Sequence, residues 1–436
     1  MNNQKNILNY FASWSVGYAL IFTFLVPFAI FLGLTNFQIG IISAMPFASL
    51  ILSQVTAMLS SGKVARRKTF VVAFLLFRRI FLVPLLVLPF ISNAPVYFIV
   101  LVFVIHYLGQ VPESAFMSLL ADIIPEKTRG RFFARKEVYI AIFTTIPYII
   151  AGFFLDIFPK NSPQGFIILF ALGIIVSFFS LTFLASLKEP EYRPQKQKLK
   201  NLLNFRGEYG KFTVFTTFFN FAYMIASPFF VVYILKNLGL GYSYFVLATS
   251  ISIVCRIIFL KPIGRMLDRY GDRPVAIVST FATALVPLTY LLFVKPETVW
   301  LIIPAEILSG IAWAGFDLSS VNLLLDFTTK EDRMAQVAKF NAVTAIPMII
   351  APIIGGFLSE KSFVFLAGIP LVFAVSSVAR AIAAVLLFRI REVRVKKEYP
   401  LKVILRAYVH MPLKAVRTME RGFVAFVHHR NNFVKK

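Results

Sequence analysis

Twelve stretches of roughly 20 or more mostly apolar residues recur along this chain, and each is long enough to cross a bilayer as a helix. They lie near residues 8–33, 38–60, 69–91, 95–120, 137–158, 164–187, 211–235, 243–262, 274–294, 298–325, 335–358 and 363–388. In lipid, a spanning segment must satisfy its backbone hydrogen bonds internally, so such runs fold as α-helices. With 58% hydrophobic and 15% charged residues, the chain has too little polar surface to cover a soluble globule of 436 residues. The expected fold class is therefore an all-α polytopic membrane protein. The first run is longer than a signal-peptide core and lacks a small-residue cleavage pattern, so it is expected to be retained as span 1.

The net charge of +25 would point to nucleic acid in a soluble protein. Here its location decides. When the connections are assigned alternately to two sides, one side collects Lys63, Arg66, Arg67, Lys68, Lys127, Arg129, Arg131, Lys188, Arg193, Arg265, Arg269, Arg273, Lys330 and Arg333. The other side receives only Lys160, Lys236, Lys295 and Lys361. The positive-inside rule then predicts that both termini are cytoplasmic, and topology absorbs the charge without a nucleic-acid partner. The single cysteine, Cys255, excludes a disulfide framework and a cysteine metal site. No cofactor, no metal site and no catalytic residue is expected.

The longest interior polar stretch, KEPEYRPQKQKLKNLLNFRGEYGK from Lys188, separates six spans from six. The predicted organisation is an N-terminal half at 1–187, a cytoplasmic linker at 188–210, a C-terminal half at 211–388 and a basic tail at 389–436. The halves repeat. TIPYIIAG at Thr145 to Gly152 answers AIPMIIAP at Ala345 to Pro352, and Pro27-Phe28 answers Pro228-Phe229. Glu113, Asp122 and Arg129 are likewise answered by Asp317, Asp326 and Arg333, each 204 residues on. The two six-helix halves are thus expected to be pseudo-symmetric.

GRMLDRYGDR, between spans 8 and 9, has the form G-x-x-x-D-R-x-G-x-R through Gly264, Asp268, Arg269, Gly271 and Arg273. It resembles the cytoplasmic loop signature of the major facilitator superfamily, and ADIIPEKTRGR at Ala121 to Arg131 is similar to that family's loop between spans 4 and 5. The equivalent first-half loop, MLSSGKVARR, departs from the signature with Gly62 and Lys63 in place of the aspartate and arginine. The resemblance covers roughly residues 8–390. It implies that spans 1, 4, 7 and 10 line a central cavity, that spans 3, 6, 9 and 12 stand outside it, and that transport proceeds by rocking of the halves. APIIGG at Ala351 is similar to an antiporter pattern, but that pattern is diagnostic in span 5, where this chain has AGFFLD.

Ionisable side chains inside a bilayer usually face protein or a watery cavity. Glu113 and Asp317 each precede a helix-end aspartate by nine residues, which at about 1.5 Å per residue puts both roughly 13 Å deep, near the midplane. His106 and Gln110 share a face with Glu113, and Trp313 shares one with Asp317; Asn220 and Tyr223 lie on a polar stripe in span 7. These residues are the expected solute and proton site. Structural pairing or packing is the alternative reading of each. Glu306 is expected at the outer boundary, solvated. Arg78 and Arg79 also fall near the midplane, as buried charge partners or as part of the cavity. Arg256 and Arg380 are expected to snorkel.

Asp122, Arg129, Asp326 and Arg333, together with the signature residues, are expected to pair across the inner faces of the halves as a gate that favours the outward-open state. The tail carries 13 Lys+Arg against 3 Asp+Glu, interleaved with apolar residues. It is expected to lie as a broken amphipathic helix on the anionic inner leaflet. The function predicted is secondary active transport of a small organic solute, proton-coupled, with efflux as one direction. The rivals are an intramembrane lipid-modifying enzyme and a transporter-like receptor or scaffold acting through its tail.

Overall fold

The computed structural model describes residues 2–60, 64, 66–191, 205–291, 296–328, 333–362, 366–392 and 399–410. Among them are twelve helices long and apolar enough to cross a membrane: α1 Asn3–Phe31, α2 Asn36–Ala57, α3 Arg67–Phe90, α4 Ala94–Ile123, α5 Thr128–Leu155, α6 Gln164–Ala185, α7 Gly207–Asn237, α8 Tyr242–Tyr270, α9 Asp272–Leu291, α10 Glu297–Asp326, α11 Gln336–Leu358 and α12 Ile369–Arg389. Residues 401–410 form a further short helix, α13. Gly62, Lys63, Arg193, Lys295, Lys330 and the tail from 411 onward lie outside the described residues.

The packing repeats with a shift of six helices. In the first half, α1 packs on α5 and α6, α2 on α4, and α3 on α4 and α6; in the second, α7 packs on α11 and α12, α8 on α10, and α9 on α10 and α12. Small residues set these spacings, because in lipid close backbone approach replaces the hydrophobic drive. Gly17 is an example: a Cβ there would come 2.2 Å from Ser177 Oγ on α6.

The outer helices of each half are fastened by a buried arginine. Arg79 on α3 donates to Ser177 O (2.5 Å) and Ser180 Oγ (2.8 Å) on α6, and to Leu75 O (2.8 Å). Arg380 on α12 donates to Thr283 O on α9 (2.9 Å), Ser376 Oγ (3.1 Å) and Tyr223 O on α7 (3.4 Å). Arg380 therefore does not snorkel; it is 2% exposed and spends its donors on carbonyls and hydroxyls. The start of each half's third helix is capped by an acid that follows the half's last helix. Glu189 accepts the N–H groups of Arg67 (2.9 Å) and Lys68 (3.2 Å), and Glu392 accepts that of Arg273 (2.7 Å). Capping suits the unpaired amides and the positive end of the helix dipole.

We call the face carrying these caps the basic face and the opposite one the far face. The core differs between them. On the far side a single apolar cluster joins residues of both halves, from Phe24 and Phe28 on α1 through Tyr148 on α5 to Phe229 on α7 and Ala351 on α11. Towards the basic face this divides. One cluster there draws only on the first half, around Phe116, Leu120 and Phe132, and two draw only on the second, around Phe212, Phe316 and Ile263. The halves meet at the far face and part below it.

The described part of the tail, residues 399–410, packs against the protein. Within α13, Ile404 is buried and Tyr408 is 6% exposed, packed with Phe259 and Ile263 of α8, Val275 and Val278 of α9, and Ile311 of α10. The Tyr408 hydroxyl donates to Ile311 O (2.9 Å) and meets Ser279 Oγ (3.1 Å). The apolar edge of this segment is thus covered by protein, leaving Lys402 and Arg406 on its exposed side.

Candidate functional site

Below the far-face core, several polar and aromatic side chains of the expected cavity helices are exposed. Tyr18 on α1 is 38% exposed, the Asp317 side chain 32% and that of Arg256 50%, and Glu113 is exposed too. Glu113 starts the inner segment of α4, which breaks at Val111-Pro112 because proline cannot donate into the helix ladder. Asp317 lies in an unbroken helical stretch, Ile302–Asp326.

Each of these two acids faces cations. Arg256 of α8 forms an ion pair with Asp317 on α10, so it does not snorkel to the surface. Glu113 lies within electrostatic range of Lys136 on α5 and Arg78 on α3. Lys136 was not among the residues the sequence singled out. Span 5 was expected to begin at 137, whereas α5 starts at Thr128, which carries Lys136 onto the helix and over the Phe11 ring at 4.8 Å. Arg78 sets its guanidinium 4.4 Å from the Phe22 ring and against Gly109, where a Cβ would come within 2.9 Å; its buried Nε has no hydrogen-bond partner. Arg79, its neighbour, gives its donors to Ser177 O, Ser180 Oγ and Leu75 O.

Aromatic rings flank both groups. On α1, Trp14, Tyr18 and Phe22 form a ladder with centroids 5.4 and 5.3 Å apart. In the second half, Trp313 meets Tyr223 edge-on at 5.1 Å and packs with Phe219 and Phe316. Such surfaces bind planar or cationic groups through stacking and cation–π contact.

Three expected site residues bond to neighbouring backbone or side chains. His106 Nδ1 is 2.8 Å from Val102 O and its ring stands edge-on to Phe22. Gln110 donates to Pro46 O (3.0 Å) and meets Ser49 Oγ (3.2 Å) on α2. Asn220 donates to Thr344 O on α11 (2.9 Å).

The gate residues make the contacts described here within their own halves. Arg67 pairs with Asp122 (2.6 Å), Arg129 donates to Ala121 O (2.9 Å), Arg333 to Leu325 O (3.3 Å), and Arg273 to Leu387 O (3.3 Å) and Phe388 O (3.0 Å). Gly271 takes φ +93 where a Cβ would meet the Glu392 carboxylate, so glycine is required there.

The seam between the halves is at the far face, and sequence reasoning missed its polar members. Asp156, just beyond α5, accepts the N–H groups of Tyr242 (2.7 Å) and Ser243 (2.8 Å) at the start of α8. Glu360, just beyond α11, accepts that of Phe37 at the start of α2 (3.0 Å), and Lys160 donates to Gly239 O (2.6 Å). Glycines allow the backbones to meet: a Cβ on Gly40 would come 2.3 Å from Pro352 O. Glu306 also differs from expectation. It accepts the Tyr290 hydroxyl and adjoins Ser252, half-buried between α8, α9 and α10 rather than freely solvated at a boundary.

A family model described as Major Facilitator Superfamily matches residues 7–224 and 212–428. The chain is 29% identical over 120 residues to the class B tetracycline resistance protein of Escherichia coli, covering 28% of this chain and 29% of that one, and 29% identical over 133 residues to the class H protein of Pasteurella multocida, covering 30% and 31%. The matches thus span about three tenths of those relatives' length. Among solved structures, a bacterial homologue of the iron transporter ferroportin superposes with TM-score 0.71 at 12% identity, covering 89% of this chain and 98% of that one. The D-xylose-proton symporter does so with TM-score 0.69 at 14% identity, covering 91% and 99%. With its two matched repeats and its twelve helices in two like halves, the chain belongs to the Major Facilitator Superfamily, a family of transporters rather than enzymes.

Proposed function

We propose that the protein is a secondary active transporter that exports a small amphipathic organic solute by alternating access, coupled to protons. The observation that carries this reading is the division of the core: continuous across both halves at the far face, separate in each half towards the basic face. A molecule built so opens to one side and can open to the other by rocking about its middle. The basic face is taken as cytoplasmic, with both termini there.

The solute is held between Glu113 with Lys136 and Arg78 in one half and Asp317 with Arg256 in the other. Charges of both signs beside the Trp14–Tyr18–Phe22 ladder and the Trp313 cluster favour a solute that joins a flat apolar body to charged or strongly polar groups. The names of the tetracycline resistance relatives support export as the direction. Lys402 and Arg406 on the exposed side of α13 suit contact with anionic inner-leaflet lipid.

The test is a thermal-shift screen of the detergent-purified protein against amphipathic aromatic compounds, tetracycline among them, repeated with Glu113→Gln and Asp317→Asn. A compound that stabilises the parent in a saturable manner and loses at least tenfold in affinity in both variants supports the site. Equal binding to parent and variants would remove the two acids from it.

A further inference from the structure

We propose that Glu306, rather than Glu113 or Asp317, carries the coupling proton, and that its protonation permits the far-face seam to close. The inference rests on the transporter reading above and deepens it by separating the proton site from the solute site. Its first ground is charge. Glu113 faces Lys136 and Arg78, and Asp317 is paired with Arg256. The groups that face Glu306 are the hydroxyls of Tyr290 on α9 and Ser252 on α8, Cys255 one turn along α8, and Tyr148 on α5. All of these are neutral side chains. Among the described residues no cation forms an ion pair with Glu306, so a half-buried carboxylate there has hydroxyl donors but no counter-charge, and a proton or fuller contact with water relieves it.

The second ground is position. Tyr148 belongs to the first half, and its hydroxyl meets Thr249 of α8. Its ring stands edge-on to Phe245 at 6.0 Å, and Gly152, one turn on, admits Val246 so closely that a Cβ would come 2.3 Å from it. Glu306 thus sits directly behind the α5–α8 seam, and water reaches it from the far side when that seam opens. A proton from that water then forms the O–H bond on a Glu306 oxygen, no other bond changes, and the neutral group can be covered again. Loss of the proton reverses this and favours the open seam.

The experiment measures the seam. Spin labels are placed on cysteines substituted for Ile157 and Tyr244, both exposed at the far ends of α5 and α8, in a Cys255→Ala background that adds no donor beside Glu306, and their separation is read by pulsed dipolar spectroscopy in mildly acidic and mildly alkaline buffer. The expected result is a long-distance population that grows several-fold with alkalinity in the background protein and stays small at both pH values in Glu306→Gln. Tyr290→Phe, which keeps the carboxyl but removes its donor, should raise the pH midpoint of the change without abolishing it. If Glu306→Gln opens with pH as the background does, or if neither protein responds to pH although a long-distance population is present, the proton assignment is overturned while alternating access stands. If no long-distance population forms in any buffer, both readings fall.

Discussion

Asp156 and Glu360 do the same work from opposite halves. Each follows the far end of its helix, α5 or α11, and each carboxylate caps the first turn of a helix in the other half, α8 or α2. Every such bond joins a charged acceptor to an amide at the positive end of a helix, a contact worth about 0.3–1 kcal/mol at an exposed site. The three together supply about 1–3 kcal/mol, enough to bias a two-state equilibrium by about tenfold. Replacing both acids by alanine should raise the rate at which a membrane-impermeant maleimide reaches a cysteine at Tyr18 from the far side by about tenfold or more. An unchanged rate would show that the caps do not hold the seam.

The glycine contacts of the seam make a steric version of the same test. Gly40→Leu cannot reproduce the approach to Pro352 O without moving α2 from α11. Overpacking of this kind costs about 1–3 kcal/mol, charged here only to the closed state. The far-side labelling rate should rise while the thermal midpoint in detergent changes little.

Arg78 and Arg79 should part company. Arg79→Leu abandons two bonds between α3 and α6 and one within α3, and should lower the thermal midpoint measurably, since truncating one member of a buried polar network costs about 2–5 kcal/mol. Arg78→Leu should leave the midpoint nearly unchanged and weaken solute binding at least tenfold, because its unpartnered Nε lies beside the aromatic ladder.

Much of the architecture was legible because apolar length and the placement of lysine and arginine are constraints of the bilayer itself. The acids Glu113 and Asp317 were legible because their distance from a helix end could be counted. Lys136 was not, since a lysine and a glutamate at the edge of an apolar run read as a loop, whereas α5 continues nine residues further towards the basic face. Glu306 was misplaced because distance was counted from Asp326 alone, although a helix of 30 residues exceeds the core's thickness and tilts. Asp156 stands in AGFFLD, a stretch read only for its lack of an antiporter pattern; capping partners come from the other half and leave no local signal.

The tail yields a prediction of its own. Ending the chain after Glu392 retains the cap on α9 but uncovers the groove where Ile404 and Tyr408 pack. The thermal midpoint should fall while solute binding persists, and Tyr408→Phe should reproduce a small part of the fall, about 1 kcal/mol for the lost hydroxyl bonds. Loss of binding on truncation would instead place the tail in the functional cycle.

The central claim is that opening at the two faces is reciprocal. It is tested most directly by two label pairs in one preparation series: Ile157 with Tyr244 across the far face, and Leu59 on the extension of α2 with Ala338 on α11 across the basic face. The account expects that any condition lengthening the first distance shortens the second, with two populations exchanging in proportion. Distances that lengthen together, or a basic-face distance that never changes while the far face opens, would contradict it.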